Sequence, residues 1–487
     1  MDGKAKIKRR LHSGLLAAMA LTLSACGGGG GDGSTAGTPS TPGPTPTPPI
    51  NNSCSVSSRQ SWADAQIREW YLFPETLPAS VDPGAYPDVE SYIDALTATA
   101  RAQRRDRYFT YLTSIASENA YYSSGTTAGM GLRLTLDSSG TRIFVVEAFE
   151  NGPGLAAGID RGAEITAIGT STANLRSVSS IIAAEGVQGI VNALGPDTDG
   201  TTRTLRISDA SGIRSVSITK SAFDILPVST RYGAKVIDDG GRKVGYVNLR
   251  NFIQPAEPAL ADAFAQFRAQ GITDVIVDLR YNGGGLISVA ETLGNLLGGG
   301  RSPSDVFARV EYRPEKSSRN ETITFVPRSE SVTPVRIAFI GAGGTASASE
   351  LVINALIPYF DTNLGLIGTN TYGKPVGQVA LDKPECDDRL RVVALSIRNS
   401  ANMGDYYDGL AGTVKASCRS TDDLAHAMGD ASETSTRQAL DFLAGRSCTP
   451  IAATTVTTQS AKAPEGKQQL LTPARPKVQQ RDVPGLF

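Results

Sequence analysis

The sequence predicts an α/β protein of several domains, some of α+β type, whose core contains a parallel sheet. Residues 275–280 and 335–340 are each a short apolar run typical of a buried strand, followed by a glycine-rich turn and a helical pattern. Residues 366–369 form a third such strand. Open α/β sheets bind ligands beyond the carboxyl ends of their strands. We therefore expect the functional residues in the turns that follow these strands.

A candidate nucleophile, Ser347, follows the second strand and precedes the helix predicted for residues 349–357. Backbone N–H groups at a helix N-terminus are unpaired and lie at the positive end of the helix dipole, which suits an oxyanion hole completed by the amide of Ala348. The chain has two histidines, His12 and His426. The first lies in a segment predicted to be removed, and the second lies in an acidic, loop-rich region. A Ser-His-Asp triad is therefore disfavoured.

Lysine is the alternative base for a serine hydroxyl, and the candidate is Lys374. A lysine accepts a proton only when it is neutral, so its pocket must lower the pKa of the amine by desolvation or by a neighbouring cation. Gln378 is placed to orient that amine. A second oxyanion donor is expected from Gly283 or Gly284, because glycines let the backbone approach a substrate closely.

Three motifs contain these residues. They are Asp-Leu-Arg-x-Asn-x-Gly-Gly at 278–285, Thr-Ala-Ser-Ala-Ser-Glu at 345–350 and Gly-Lys-x-x-x-Gln at 373–378. Each motif alone is compatible with a packing turn, a helix start or a solvated loop. In this order, they resemble the signatures of the C-terminal processing peptidases, also called tail-specific proteases, a family of Ser/Lys serine endopeptidases.

The resemblance implies a crotonase-like α/β peptidase core. In that core Ser347 is the nucleophile, Lys374 is the general base and Gln378 is the orienting residue. Two positions differ from the family pattern: Gly283 stands where proline is often found, and Pro375 follows the lysine where glycine is common. Neither difference removes a reacting group.

Upstream, Gly129, Met130, Gly131 and Leu132 resemble the carboxylate-binding loop of the PDZ domain that family members carry. Such a domain binds a peptide C-terminus by strand addition to a sheet edge, and loop N–H groups hold the terminal carboxylate. The resemblance implies a β-rich PDZ domain that precedes the core or is inserted in it. The predicted organisation is a helical N-terminal segment at 54–122, the PDZ-like domain at 123–220 and the peptidase core with its C-terminal segment at 221–450.

The two ends of the sequence predict where the protein works. Basic residues, a short apolar stretch and Leu-Ser-Ala-Cys predict a lipoprotein signal peptide over residues 1–25, with lipid on Cys26 and a Gly/Thr/Pro-rich tether over 26–53. We expect a lipid-anchored, periplasm-facing protein of the cell envelope, delivered to the outer membrane if enterobacterial sorting rules apply. A secreted protein with an uncut anchor is the alternative. Residues 451–487, rich in Thr, Gln, Lys and Pro, are predicted to be disordered.

The other cysteines predict disulfides, because an even number of them in an exported chain favours pairing. Two bonds with three possible connectivities are expected. A zinc site is the competing interpretation, but the spacings are wide and no histidine lies close by. We expect no metal and no cofactor, and the net charge of −1 argues against nucleic acid as a partner. The cysteines in question are Cys54, Cys386, Cys418 and Cys448.

The sequence thus predicts a serine endopeptidase that captures unstructured protein C-termini with its PDZ domain and hydrolyses peptide bonds with a Ser/Lys dyad. Two alternatives remain open. One is a catalytically silent lipoprotein that binds peptides or another ligand, and the other is an esterase or amidase on the same fold. The PDZ-like segment favours peptide as the substrate.

Overall fold

The computed structural model describes residues 52–452 and 469–487. The helices are Val56–Trp70 (α1), Val89–Leu96 (α2), Ala98–Ala102 (α3), Ile115–Ser124 (α4), Pro153–Ala156 (α5), Val178–Leu194 (α6), Ala256–Ala269 (α7), Ile287–Leu297 (α8), Ala348–Phe360 (α9), Thr434–Leu443 (α10) and Val478–Asp482 (α11). The first ten strands are Tyr111–Ser114 (β1), Thr126–Gly129 (β2), Leu132–Leu136 (β3), Ile143–Ala148 (β4), Glu164–Gly169 (β5), Arg176–Ser177 (β6), Thr202–Asp209 (β7), Gly212–Thr219 (β8), Ser221–Asp224 (β9) and Ala234–Asp239 (β10). The other strands are Arg242–Asn248 (β11), Asp274–Asp278 (β12), Val306–Tyr312 (β13), Glu321–Thr324 (β14), Arg336–Gly341 (β15), Leu364–Gly368 (β16), Val376–Lys383 (β17), Asp388–Arg398 (β18), Ala416–Arg419 (β19) and Gln469–Leu470 (β20).

A six-stranded sheet with the order β10-β11-β12-β15-β16-β19 forms the centre of the fold. In this order, β11, β12, β15, β16 and β19 are parallel to their neighbours, and β10 is an antiparallel edge strand. Asp278 pairs with Ile340, which pairs with Ile367, so β12, β15 and β16 end side by side. The turns that follow these three strands therefore meet at one edge of the sheet, as the sequence patterns predict.

Helices cover both faces of this sheet, which explains why its central strands are apolar runs without alternation. Val277 and Phe339 face an apolar cluster that contains residues of α7, α8 and α9. Their neighbours in the chain, Ile276 and Ala338, face a second cluster with Leu440 of α10. Burial on both faces fixes the strands, and hence the positions of their terminal turns.

The N-terminal helices pack on a second sheet, of order β1-β18-β13-β14 with β17 beside β18. Ile67 of α1 and Leu96 of α2 are fully buried in one cluster with Val392 of β18. A disulfide between Cys54 and Cys386 also joins this N-terminal segment to the loop before β18. The N-terminal segment is therefore part of the body that carries β17 and the loop that contains Lys374.

A seven-stranded sheet, of order β20-β3-β4-β5-β7-β8 with β6 beside β5, forms the β-rich unit. Helix α6 packs against β5, and Ile181 and Ile190 of that helix lie in the apolar core of the unit. Strand β9 pairs with β2, so the unit extends to Asp224, slightly past the predicted boundary at residue 220. Residues 52–452 and 469–487 belong to one compact unit.

The prediction of disorder for residues 451–487 is wrong over residues 469–487, which we call the C-terminal segment. This segment forms β20 and α11 and returns to the edge of β3. Its polar composition concealed apolar residues that become buried only against the rest of the protein: Leu471, Val478, Val483, Leu486 and Phe487. The predictions for residues 1–51, which include the signal peptide, Cys26 and most of the tether, lie outside the described residues, as do residues 453–468.

The structure selects one of the three connectivities that the cysteine count allowed. Cys54 pairs with Cys386 and Cys418 pairs with Cys448, with Cα atoms 5.4 and 5.5 Å apart. Within residues 52–452 and 469–487, no group of three or more His, Cys, Asp or Glu side chains is arranged to hold a metal ion. Among the helices that the structure describes, none combines the length and the apolar composition needed to cross a membrane.

A buried ion cluster joins α10 to the turn after β12. The Arg280 guanidinium donates to both carboxylate oxygens of Glu433, at 2.8 and 3.0 Å, and its Nε donates to Asp278 at 3.0 Å. Burial acts to raise the pKa of Glu433, but Arg280 and the hydrogen bonds from Thr436 outweigh it and hold that pKa at about 2. The cluster fixes the base of the turn after β12.

Replacing Glu433 by glutamine should lower the free energy of unfolding by about 3 kcal/mol, because it leaves a buried guanidinium with one carboxylate fewer. The folded pKa of Glu433, about 2, lies below its ordinary value of 4.5, so its contribution is present above pH 4.5 and is lost as the pH falls towards 2. Denaturant unfolding at several pH values measures this. The exposed Glu315→Gln variant is the control, and equal pH slopes for wild type and Glu433→Gln would contradict the assignment.

Candidate active site

Ser347 lies between the turn after β15 and the first residue of α9. Its backbone has φ 56° and ψ −116°, a conformation that costs a non-glycine residue free energy and is found most often at functional sites. The side chain is half-buried, and the Ser347 amide donates to Glu350 Oε2 at 3.1 Å. The sequence pattern therefore places this hydroxyl on a sharp strand-to-helix turn, where a nucleophile is accessible.

The glycine turn after β12 packs directly on the serine turn. The carbonyl of Asn282 accepts hydrogen bonds from the Ala346 amide and from the Ser349 hydroxyl, both at 3.0 Å. A Cβ on Gly284 would lie 2.8 Å from the Cβ of Ser347, closer than such atoms approach each other. Glycine is therefore required at this position for the two turns to touch.

The predicted oxyanion donors differ in their partners. The Gly284 amide donates to Oδ1 of Asn282 at 2.9 Å, whereas the Gly283 amide donates to the carbonyl of Asp482 in the C-terminal segment at 2.8 Å. The Ala348 amide lies against the bare face of Gly284, 3.1 Å from where a Cβ would be. Of the two glycines, Gly283 is the one whose N–H reaches a peptide carbonyl in this structure.

Lys374 lies next to the residue predicted to orient it. Its Nζ donates to Oε1 of Gln378 at 2.9 Å, and the Gln378 amide nitrogen donates in turn to the carbonyl of Phe109. The Phe109 ring centroid is 5.0 Å from Nζ. Burial lowers the pKa of Lys374 to about 8, because the charged amine loses hydration. A substantial fraction of this lysine is therefore neutral in mildly alkaline solution.

Most of these groups line one cavity of about 1330 Å³, but Gly284 is not part of its lining. Its walls include Ser347, Ala348, Gly283, Lys374 and Gln378 on the sheet side, together with residues of the C-terminal segment. The described histidine does not line the cavity: His426 is exposed, and its Nδ1 lies 2.7 Å from Asp423. The structure thus brings the predicted serine, lysine and glutamine to a common space.

The predicted peptide-binding residues lie at the edge of β3 and contact the C-terminal segment. The Leu132 amide donates to the Phe487 carbonyl at 3.2 Å, and the Phe487 amide donates to the Leu132 carbonyl at 2.9 Å. A Cβ on Gly129 would be 2.8 Å from the carbonyl carbon of Phe487. Met130 is fully buried, and Gly131 has φ +68°, a left-handed conformation that favours glycine. The loop therefore allows a peptide to pair with β3.

The sequence profile of Peptidase family S41 matches residues 243–399, from β11 to just past β18. This stretch contains both turns and the lysine loop. The carboxyl-terminal-processing peptidase 3, chloroplastic, of Arabidopsis thaliana is 27% identical over 259 residues, which are 52% of this chain and 46% of that protein. Residues 243–399 are therefore a Peptidase family S41 domain, and the chain is similar to C-terminal processing peptidases.

Other similar proteins show the extent of the similarity. The C-terminal processing peptidase, chloroplastic, of Tetradesmus obliquus is 28% identical over 274 residues, which are 53% of this chain and 54% of that protein. The chain thus spans about half the length of these curated relatives. A solved structure from Bacteroides fragilis NCTC 9343, described as a candidate S41 protease, superposes with a TM-score of 0.61 at 22% identity. The superposition covers 79% of this chain and 97% of the Bacteroides fragilis chain, so the two share a fold.

The sequence motifs assign no role to Glu350. Its buried carboxylate accepts four hydrogen bonds, from the amides of Ser347, Gly373 and Lys374 and from the Thr371 hydroxyl, at 2.6 to 3.1 Å. Burial raises the pKa of Glu350, and these donors act against that rise. The carboxylate therefore joins the serine turn to the lysine loop. A glutamate three positions after a helix-capping serine is a capping-box pattern, which was the available signal.

The Glu350→Gln variant should lose about 3 kcal/mol of unfolding free energy, because an amide nitrogen would face N–H groups that now donate to a carboxylate oxygen. Denaturant unfolding measures the loss, with the exposed Glu321→Gln variant as the control. A change below about 0.5 kcal/mol, as expected of an ordinary surface site, would show that the carboxylate does not hold the two loops together.

Proposed function

We propose that this protein is a serine endopeptidase of the cell envelope that hydrolyses peptide bonds with a Ser347/Lys374 dyad. The observation that carries the proposal is the lysine environment: Nζ is hydrogen-bonded to Gln378 within the cavity that Ser347 also lines. A lysine with a pKa near 8 can act as a base for a serine hydroxyl without a histidine. The similarity to C-terminal processing peptidases supports protein substrates.

The reaction follows from the roles of these groups. Neutral Lys374 takes the hydroxyl proton of Ser347 as Oγ attacks the scissile carbonyl carbon, and the carbonyl oxygen becomes an oxyanion held by the amides of Ala348 and Gly283. The lysine then gives its proton to the departing amine, the C–N bond breaks, and an acyl-serine ester remains. Water, deprotonated by the same amine, hydrolyses that ester and restores both groups.

The second part of the proposal concerns the β-rich unit. We propose that this unit is a PDZ domain that presents substrate C-termini to the crotonase-like core. The edge of β3 already pairs with an added strand, which is how such domains bind peptides. The envelope location and the lipid anchor rest on the sequence of residues 1–26. Metabolic labelling with a fatty acid, lost in Cys26→Ser, tests the anchor.

Single substitutions in the dyad should abolish peptide hydrolysis. We expect Ser347→Ala and Lys374→Ala each to lower kcat/KM by on the order of 10³ or more, since each removes a reacting group. Mass spectrometry of an unstructured protein with an apolar C-terminus, incubated with the full chain, measures the fragments. The exposed Lys415→Ala variant should retain wild-type turnover. Turnover retained in Lys374→Ala would mean that the base is elsewhere, and an ester cleaved in place of peptide would favour the esterase alternative.

The dependence of kcat/KM on pH should report the protonation of Lys374. Burial lowers its pKa to about 8, with Arg481 and Arg391 acting in the same direction and Asp482 and Asp106 against it. Because the neutral amine is the active form, kcat/KM should rise about tenfold per pH unit below 8 and level off above it. In Gln378→Glu, the added carboxylate should raise the pKa and move the profile to higher pH. A profile that does not move in that variant would remove Lys374 as the titrating group.

A further inference from the structure

The C-terminal segment occupies the edge of β3 in two separated pieces. Residues 469–471 pair with the far end of the strand, where the Leu471 amide donates to the Leu134 carbonyl at 2.9 Å. The chain then leaves the sheet and returns, and the Leu134 amide donates to the Gly485 carbonyl at 2.8 Å. Phe487 completes the pairing opposite Leu132. One β3 edge, the proposed peptide-binding edge, is therefore filled along its length by this chain itself.

The side chains of the returning piece are bound as well as its backbone. The Phe487 side chain is 2% exposed and lies in the apolar core of the β-rich unit, with Met130 and Leu132 of the predicted loop. Gly485 has φ +87°, and a Cβ there would be 2.8 Å from the Leu134 carbonyl oxygen. The edge thus holds a large apolar side chain at the last paired position and admits only glycine two residues before it.

From Leu470 to Asp482, the segment passes over the turns that follow β12 and β15. The Asp482 carbonyl accepts from the Gly283 amide, the proposed oxyanion donor. A Cβ on Gly283 would be 2.0 Å from the Arg481 carbonyl oxygen, and one on Gly344 would be 2.7 Å from the side chain of Leu470. The segment therefore covers both the glycine turn and the serine turn, in the space where a substrate carbonyl would be held.

Polar anchors fix this crossing. Arg481 donates to the Tyr108 carbonyl at 2.7 Å and lies 3.8 Å from the centroid of the Tyr111 ring. Gln480 donates to Asp197 at 2.9 Å. Asp482 is 8% exposed and is the carboxylate that acts most strongly on Lys374. These contacts join the C-terminal segment to the N-terminal segment and to the β-rich unit, and Asp482 acts on Lys374 through its charge.

We propose that residues 469–487 are a built-in competitor that occupies the peptide-binding edge of β3 and the catalytic cleft at the same time. A substrate protein enters by displacing this segment. The substrate residue that takes the place of Phe487 is large and apolar. The inference rests on the proposed function for its consequence, but the occupancy itself is a binding property that is measurable without catalysis.

The conformation of the segment explains why it inhibits and is not itself cut. The carbonyl held by Gly283 belongs to the last turn of α11, whose backbone is closed by hydrogen bonds from Arg481 to Lys477 and from Val483 to Gln479. Strand addition presents a substrate in an extended form. Because the competitor is covalently attached, its effective concentration is in the millimolar range, and weak peptides are excluded.

The test measures peptide affinity in full chains that carry Ser347→Ala, so that no turnover is needed. The probe is a fluorescent peptide with the sequence of residues 478–487, followed by anisotropy. Phe487→Asp removes the apolar anchor, and Gly485→Val forces a Cβ against Leu134. Each should bind the probe about tenfold more tightly or better, because the internal competitor is weakened. Gln469→Ala, exposed in the same segment, is the matched control and should bind as the parent does.

Affinity that is equal or weaker in both variants would overturn the proposal. Hydrogen exchange on the unsubstituted chain gives a second, independent measurement. Saturating probe should speed exchange at the amides of Val483 and Phe487, and unchanged exchange at saturation would also overturn it. A gain in affinity with no cleavage when Ser347 is intact would reject the peptidase and keep the competitor. Ser347-dependent cleavage without a gain in affinity would do the reverse.

Discussion

The arrangement of the catalytic loops depends on one buried carboxylate. Glu350 stands in the first turn of α9 and binds the amide of Ser347 on one side and the amides of Gly373 and Lys374 on the other. A buried charge of this kind is tolerated only when donors surround it, so the two loops and the carboxylate must be in place together. The relative position of the Ser347 turn and the Lys374 loop is thus set by hydrogen bonds from their backbone amides to Glu350.

The edge of β3 and the turns that hold Gly283 and Ser347 lie close together in the structure. Arg133, on β3 next to Leu132, is buried, forms an ion pair with Glu147 at 2.8 Å and lies 5.1 Å from the ring centroid of Tyr281 in the glycine turn. The C-terminal segment contacts both places within a few residues. The C-terminal segment thus connects the β3 edge to Gly283, and an occupant of one place also affects access to the other.

Among the described residues no histidine lines the cavity, and hydration is therefore the main control on the pKa of Lys374. Within residues 52–452 and 469–487, no carboxylate is hydrogen-bonded to the Lys374 amine, whose contacts are an amide oxygen and the face of Phe109. Such neighbours do not stabilise a positive charge as strongly as water does, so the amine loses its proton at lower pH. Anything that fills or empties the cavity changes this hydration, and occupancy and base strength are therefore linked.

The sequence by itself determined the elements whose signal is local. The strand, turn and helix order around Ser347 and Gly283 and the spacing to Lys374 and Gln378 follow from apolar periodicity, glycines and family motifs, which is why these residues meet in the structure. Only the tertiary structure decided the rest. It gave Glu350 its partners, chose Cys54 with Cys386 among the possible pairings, and ordered residues 469–487, because each of these depends on contacts between distant parts of the chain. The C-terminal segment is polar in composition, and its few apolar residues become a binding sequence only when β3 and the catalytic turns are present to receive them.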